Sequence, residues 1–107
     1  MAIRYFKCHT LPFPSYDFTV ASKATDQVNL TWSNGPPGAS EPTTTELGYT
    51  YATASSTENV ASLSGTGRTS ASLYVPGQSG NSVSLRIRRI NGTGAGEWTR
   101  PIVDTFG

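Results

Sequence analysis

Cysteine and histidine are almost missing from this chain, with one of each among 107 residues, and their scarcity excludes several kinds of protein. The single cysteine, Cys8, cannot form an internal disulfide, so the fold must stand on its core alone. The single histidine, His9, adjoins it, and a pair of ligands falls short of a closed tetrahedral zinc site. A Ser-His-Asp relay would require His9 to be held beside a nucleophile, yet His9 precedes every regular pattern in the sequence. Charge is sparse as well. Asp, Glu, Lys and Arg make up 14% of the chain and the formal net charge is +1, which leaves no field to draw the protein to nucleic acid or to an anionic membrane. The acids Asp17, Asp26, Glu41, Glu46, Glu58, Glu97 and Asp104 are scattered, without the spacing of a calcium loop. No apolar run approaches the roughly 18 residues of a membrane span, and the opening MAIRYFKCHTLPF lacks the continuous apolar centre of a secretory signal. The expectation is a chain with no catalytic residues, no cofactor, no metal and no membrane insertion.

Helical patterning is absent too, since no window repeats apolar residues at i, i+3, i+4 and i+7. What is present is a series of short alternating runs separated by Gly, Pro, Ser and Asn clusters, which predicts an all-β antiparallel sandwich. Val28, Leu30 and Trp32 alternate with polar neighbours, so all three face inward, and the Trp32 ring would bury on the order of 200 Å². Tyr16, Phe18 and Val20 fit a first strand, with Ser22 to Asp26 as its turn. Asn34 to Thr45 reads as a long, mobile loop. Tyr49, Tyr51 and Thr53 share one face of the next strand, and a short edge strand falls within Ala54 to Gly67. Ala71, Leu73 and Val75 point inward from the run beginning at Thr69, as do Val83, Leu85 and Ile87 from the run that follows. Arg86 and Arg88 take the opposite face. Alternation also sends Arg89 inward, where it needs an acidic partner or an exit at the end of the sandwich.

The stretch Asn81 to Thr105, NSVSLRIRRINGTGAGEWTRPIVDT, resembles the last hairpin of a fibronectin type III domain. In that family a strand close to Tyr-x-Val-Arg-Val-Arg-Ala-x-Asn is followed by Gly-x-Gly and then by Ser-x-Pro. The counterparts are Val83, Leu85, Arg86, Ile87, Arg88, Arg89 and Asn91, then Gly94 and Gly96, then Thr99 and Pro101. Val28, Leu30 and Trp32 are similar to the family's second strand, and Pro76-Gly77 to the turn after its fifth. The resemblance implies a seven-stranded sandwich over residues 16–107, with Val28, Leu30, Trp32, Leu73, Leu85 and Ile87 in its core and residues 1–15 as an N-terminal arm. Val83 replaces the tyrosine whose hydroxyl ties down a corner in the family, so packing or other polar groups must hold that corner here. In cytokine-receptor members, arginines of this strand interleave with tryptophans. Trp98, which the resemblance places at the start of the last strand, is the one ring available to Arg86 and Arg88, and a single rung is expected.

This fold hosts unrelated functions, so the resemblance implies a class of role: a non-catalytic structural or interaction module. Ile3, Arg4, Tyr5 and Phe6 form a patch that the sandwich does not need, and with Trp98 they are the candidate partner contacts. Protein partners are expected, in a larger assembly or a homo-oligomer, with weak contact to cell-surface glycans as a further class. Fibronectin-like domains occur in capsid decoration and tail proteins. The leading expectation is therefore a virion component, made in the host cytoplasm and displayed on the virion surface. The alternatives are an accessory module of a secreted bacterial enzyme or adhesin and an extracellular receptor module. Met1 suits a free-standing gene product and a segment cut from a longer one alike. The Asn-x-Thr acceptor patterns at Asn29 and Asn91 read as chance in a Ser/Thr-rich chain.

Overall fold

The computed structural model describes residues 11–51 and 57–107, and among them there is no helix. Strands β1 (Tyr16–Ala24), β2 (Gln27–Ser33), β3 (Thr44–Tyr51), β4 (Asn59–Ser64), β5 (Ser70–Tyr74), β6 (Ser82–Asn91), β7 (Gly94–Ala95) and β8 (Ile102–Thr105) build two antiparallel sheets. One sheet runs β1-β2-β5; the other runs β4-β3-β6, with β7 and β8 both paired to β6. Seven strands are predicted, and the eighth arises because β7 and β8 share one partner across a break.

That break has a local cause. Thr99 N–H donates to the Ile87 carbonyl at 2.8 Å, while the Ile87 N–H donates to the Thr99 hydroxyl at 3.0 Å. A side chain thus replaces a main-chain acceptor in the ladder, and regular pairing resumes only at Ile102. Trp98 consequently lies in the connection rather than at the start of the last strand, as the sequence pattern places it.

The inner faces follow the period of two. Val28, Leu30 and Trp32 from β2, Ala71 and Leu73 from β5, and Val83, Leu85 and Ile87 from β6 form one buried cluster, joined by Leu47 and Phe106. Phe18 meets the Trp32 ring edge-on at a centroid distance of 6.1 Å. Tyr16 departs from the predicted alternation and is exposed. Asp17, at φ 55°, sits in the left-handed region, and the β1–β2 register shifts between Tyr16 and Thr19. This bulge turns Tyr16 outward before Phe18 resumes the inward face.

Phe106 and Asp26 hold the corner that lacks a tyrosine. The Asp26 carboxylate accepts the Ser79 N–H at 2.7 Å. Phe106 N–H donates to the Asn81 carbonyl and its own carbonyl accepts from Gly80 N–H, while its ring packs beside Tyr51. Across the opening between the sheets, Lys23 of β1 reaches Asp104 of β8 at 2.6 Å. That hydrogen bond, then the Thr105 N–H, holds the Asp104 carboxyl below its ordinary value.

Candidate functional site beside Trp98

Pairing of β3 with β6 sets Glu46 opposite Arg88 and Gly48 opposite Arg86 on the outer face of the larger sheet. Arg86 forks onto Glu58, with Nε to Oε2 at 2.6 Å and Nη2 to Oε1 at 2.7 Å. Arg88 Nε donates to Glu46 Oε1 at 2.7 Å. The guanidinium carbons lie 4.2 and 4.4 Å from the Trp98 ring centroid, so the indole receives two cations where one rung is predicted. Alternate residues of a strand stand on one face about 6.6 Å apart, and a single ring placed between them reaches both. Gly48 leaves the necessary space. A Cβ there would fall 2.5 Å from the Glu58 carboxylate and 3.3 Å from the indole.

The fork of Arg86 lowers the Glu58 pKa from its usual 4.5, against a smaller opposing effect of burial. Because the folded value is depressed, the pair contributes its stability at neutral pH and loses it as pH falls below about 4.5 toward the folded value. The drop in the urea midpoint between about pH 7 and pH 3 should therefore be smaller for Glu58→Gln than for the parent chain.

Beside this stack, Leu11, Pro12, Phe13 and Pro14 face Arg88 and Ala95 to Trp98 across a cleft of about 410 Å³. Its proline-containing wall is fixed from behind. Phe13 N–H donates to the Pro36 carbonyl at 3.0 Å, and the Ser15 hydroxyl to Asn34 Oδ1 at 3.1 Å. Arg89, 4% exposed, places Nη2 at 2.7 Å from the Phe13 carbonyl and 3.0 Å from those of Gly35 and Pro36. It finds neither the acid nor the exit expected from the sequence; three carbonyl dipoles receive it instead. Its Nε is buried with no acceptor among the described residues. Burial pushes its pKa below the ordinary arginine value, with Glu41 pulling the other way. On the facing side, Gly96 lies against the Pro12 carbonyl so closely that a Cβ would overlap it.

The Asn34–Thr45 stretch, read from sequence as a mobile loop, is tethered. Asn91, itself buried, donates from Nδ2 to the carbonyls of Pro37 and Ser40, and its Oδ1 accepts from the N–H groups of Thr93 and Gly94. Residues Thr44 and Thr45 already belong to β3. The Asn91 acceptor pattern is thus a buried structural tie.

The structure brings Arg86, Arg88 and Trp98 together and places Val28, Leu30, Trp32, Leu73, Leu85 and Ile87 in the core. Ile3, Arg4, Tyr5, Phe6, Cys8 and His9, and Thr53, which the sequence pattern assigns to the third strand, lie outside the described residues. Leu11 to Pro14, Glu46 and Glu58 belong to the site although the sequence pattern did not select them. The one available signal was the apolar-proline alternation of Leu11-Pro12-Phe13-Pro14. Among the described residues, no three of His, Cys, Asp and Glu gather where they could hold a metal ion.

No family model matches the chain, and no curated protein is similar to it in sequence. Solved structures define the class as an immunoglobulin-like sandwich, and within that class the chain has the fold of a fibronectin type III domain. It superposes on the third fibronectin III domain of the human KIAA0343 protein with a TM-score of 0.75 and 17% identity, over 92% of this chain and 85% of that one. For the domain of the human collagen alpha-1(XX) chain the TM-score is 0.72 and the identity 18%, over 92% and 88%. The twitchin kinase region from C. elegans gives 0.72 and 18%, over 86% of this chain and 16% of that much longer one. At these identities the likeness is one of fold.

Proposed function

We propose that this chain is a non-catalytic interaction module that offers the cleft beside Trp98 to a protein partner, and that it serves as a repeated surface component of a virion, as a capsid decoration or tail protein. The cleft carries this reading. It has the size of recognition pockets, roughly 300–1,000 Å³, and is walled by Leu11, Phe13, two prolines and an indole. Both walls are fixed, one by Arg89 and the other by the Arg86 and Arg88 contacts, so little ordering cost remains when a partner binds. The virion assignment, and display on the virion surface, draw their support from the low charge, the Ser/Thr/Gly-rich surface and the absence of an internal disulfide. Weak glycan contact would fall on the outer face of β1, β2 and β5, where Ser22, Asn29, Thr31, Ser70 and Ser72 line a shallow polar groove.

Quantitative mass spectrometry of particles purified from cells carrying the gene should find this chain in many copies, and Trp98→Ala should be depleted from them while keeping its circular dichroism. Absence of the parent chain from particles removes the virion reading. Equal incorporation of both removes the role of the cleft. A second reading, a module within a longer chain, is favoured by the twitchin comparison, in which the matching domain is one part of a long polypeptide; an extracellular place for it would be the alternative to virion display.

A further inference from the structure

We propose that the occupant of the cleft is the N-terminal segment of a second copy of this chain, residues 1–10, inserted through Ile3, Tyr5 and Phe6. This rests on reading the cleft as a protein-binding site and names the partner. Chemistry supplies the first argument. The lining is apolar and aromatic, and its lip residues Leu11 and Phe13 are each 37% exposed. In the sequence, Ile3, Tyr5 and Phe6 are large apolar residues that no alternating strand run absorbs.

Position supplies the second argument. Residues 1–10 join the chain at Leu11, the lip of the cleft itself. A ten-residue segment reaches at most about 36 Å when extended, so two copies with facing clefts each bring their segment within range of the other's recess. Return to the chain's own cleft would need a reversal between Lys7 and Thr10. That stretch contains no Gly, Pro, Asn or Asp, the residues that supply tight-turn conformations. Reciprocal insertion avoids the reversal and closes as a twofold dimer.

Charge supplies the third. Of the two charged residues on the rim, Arg88 is paired with Glu46, whereas Glu97 is exposed and makes no ion pair among the described residues. Glu97 is therefore the complement for Arg4, which stands between Ile3 and Tyr5.

Sedimentation equilibrium of the full chain under reducing conditions, from micromolar to millimolar concentration, should show a reversible dimer. Deleting residues 1–10, which leaves the Leu11–Pro14 wall in place, should weaken it roughly tenfold or more. Glu97→Lys and Arg4→Glu should each weaken it several-fold, and the double reversal should restore it. A chain that stays monomeric throughout overturns the proposal. So does a dimer indifferent to the deletion, or a double reversal no tighter than the single variants. A monomer whose Trp98 indole resonance moves on deletion places the chain's own segment in the cleft and overturns it too. Retention of a strictly monomeric chain in particles would sink the exchange while leaving the interaction module standing. An intact dimer with Trp98-independent retention would leave the exchange standing and remove only the cleft's role in the particle.

Discussion

Trp32→Ala should destabilise the domain by about 3–5 kcal/mol and lower its melting temperature by about 15–25 °C. The ring is 4% exposed, lies in the centre of the ten-residue core cluster and meets Phe18 edge-on. Truncation would remove the largest apolar side chain in the core and leave a cavity between two sheets, each held by its own hydrogen-bond ladder. Collapse is therefore limited, which places the cost at the upper end of large-to-small substitutions. Loss of the indole N–H adds little. Its acceptor, the Arg68 carbonyl, also receives the Asn34 side-chain amide at 3.1 Å, so no buried carbonyl is orphaned. Trp32→Phe should recover most of the loss for the same reason. Val103→Ala is the contrast: at 73% exposure it should change stability by less than about 0.5 kcal/mol. Thermal and urea unfolding followed by circular dichroism measure all three. A Trp32→Ala domain melting within a few degrees of the parent would show that this ring is not the centre of the core.

The residues that were legible in the sequence are those whose position depends on their own strand. Period-two runs place Val28, Leu30, Trp32, Leu73, Leu85 and Ile87 inward whatever the neighbouring strand does, and the structure buries all six. Arg86 and Arg88 were legible on the outer face for the same reason. Illegible were the features fixed by distant chain. Glu58 and Glu46 meet their arginines across 28 and 42 residues, separations at which no local spacing rule applies. Phe106 stands at the end of the chain, with too little sequence beyond it to reveal a period, and is buried through bonds to Asn81 and Gly80. Leu47 could have been found by extending the Tyr49 and Tyr51 alternation two residues back. The left-handed Asp17 broke a first-strand pattern that looked regular, because a carboxylate residue tolerates that conformation without announcing it. The wall of the cleft was hidden by its prolines. They disqualify Leu11 to Pro14 from a regular ladder, yet an N–H bond to Pro36, the Ser15–Asn34 bond and one buried arginine fix the segment.

That arginine carries the second large effect. Arg89→Met should destabilise the domain by about 2–4 kcal/mol, since hydrogen bonds to a charged group contribute about 1.5–3 kcal/mol each and relief of the guanidinium's desolvation returns part of the loss. Three carbonyls, those of Phe13, Gly35 and Pro36, share the two protons of one nitrogen, so their contributions are not additive. Methionine keeps much of the buried stem volume while removing every donor. The loss should be local before it is global. Amide exchange at Phe13 and Ser15 should accelerate, and Trp98 emission should shift to longer wavelength as the Leu11–Pro14 wall leaves the cleft. Arg89→Lys should fall between the two, because a shorter ammonium cannot serve both the wall and the Gly35–Pro36 turn in one geometry. The alternative outcome is equally well defined. Buried Nε has no acceptor among the described residues and burial disfavours the cation, so a chain that gained stability on Arg89→Met would show that desolvation outweighs the three carbonyl bonds. In that event unchanged exchange at Phe13 would assign the wall to its bonds with Pro36 and Asn34. Faster exchange there, in a domain of equal stability, would show Arg89 retained to hold the cleft rather than the fold.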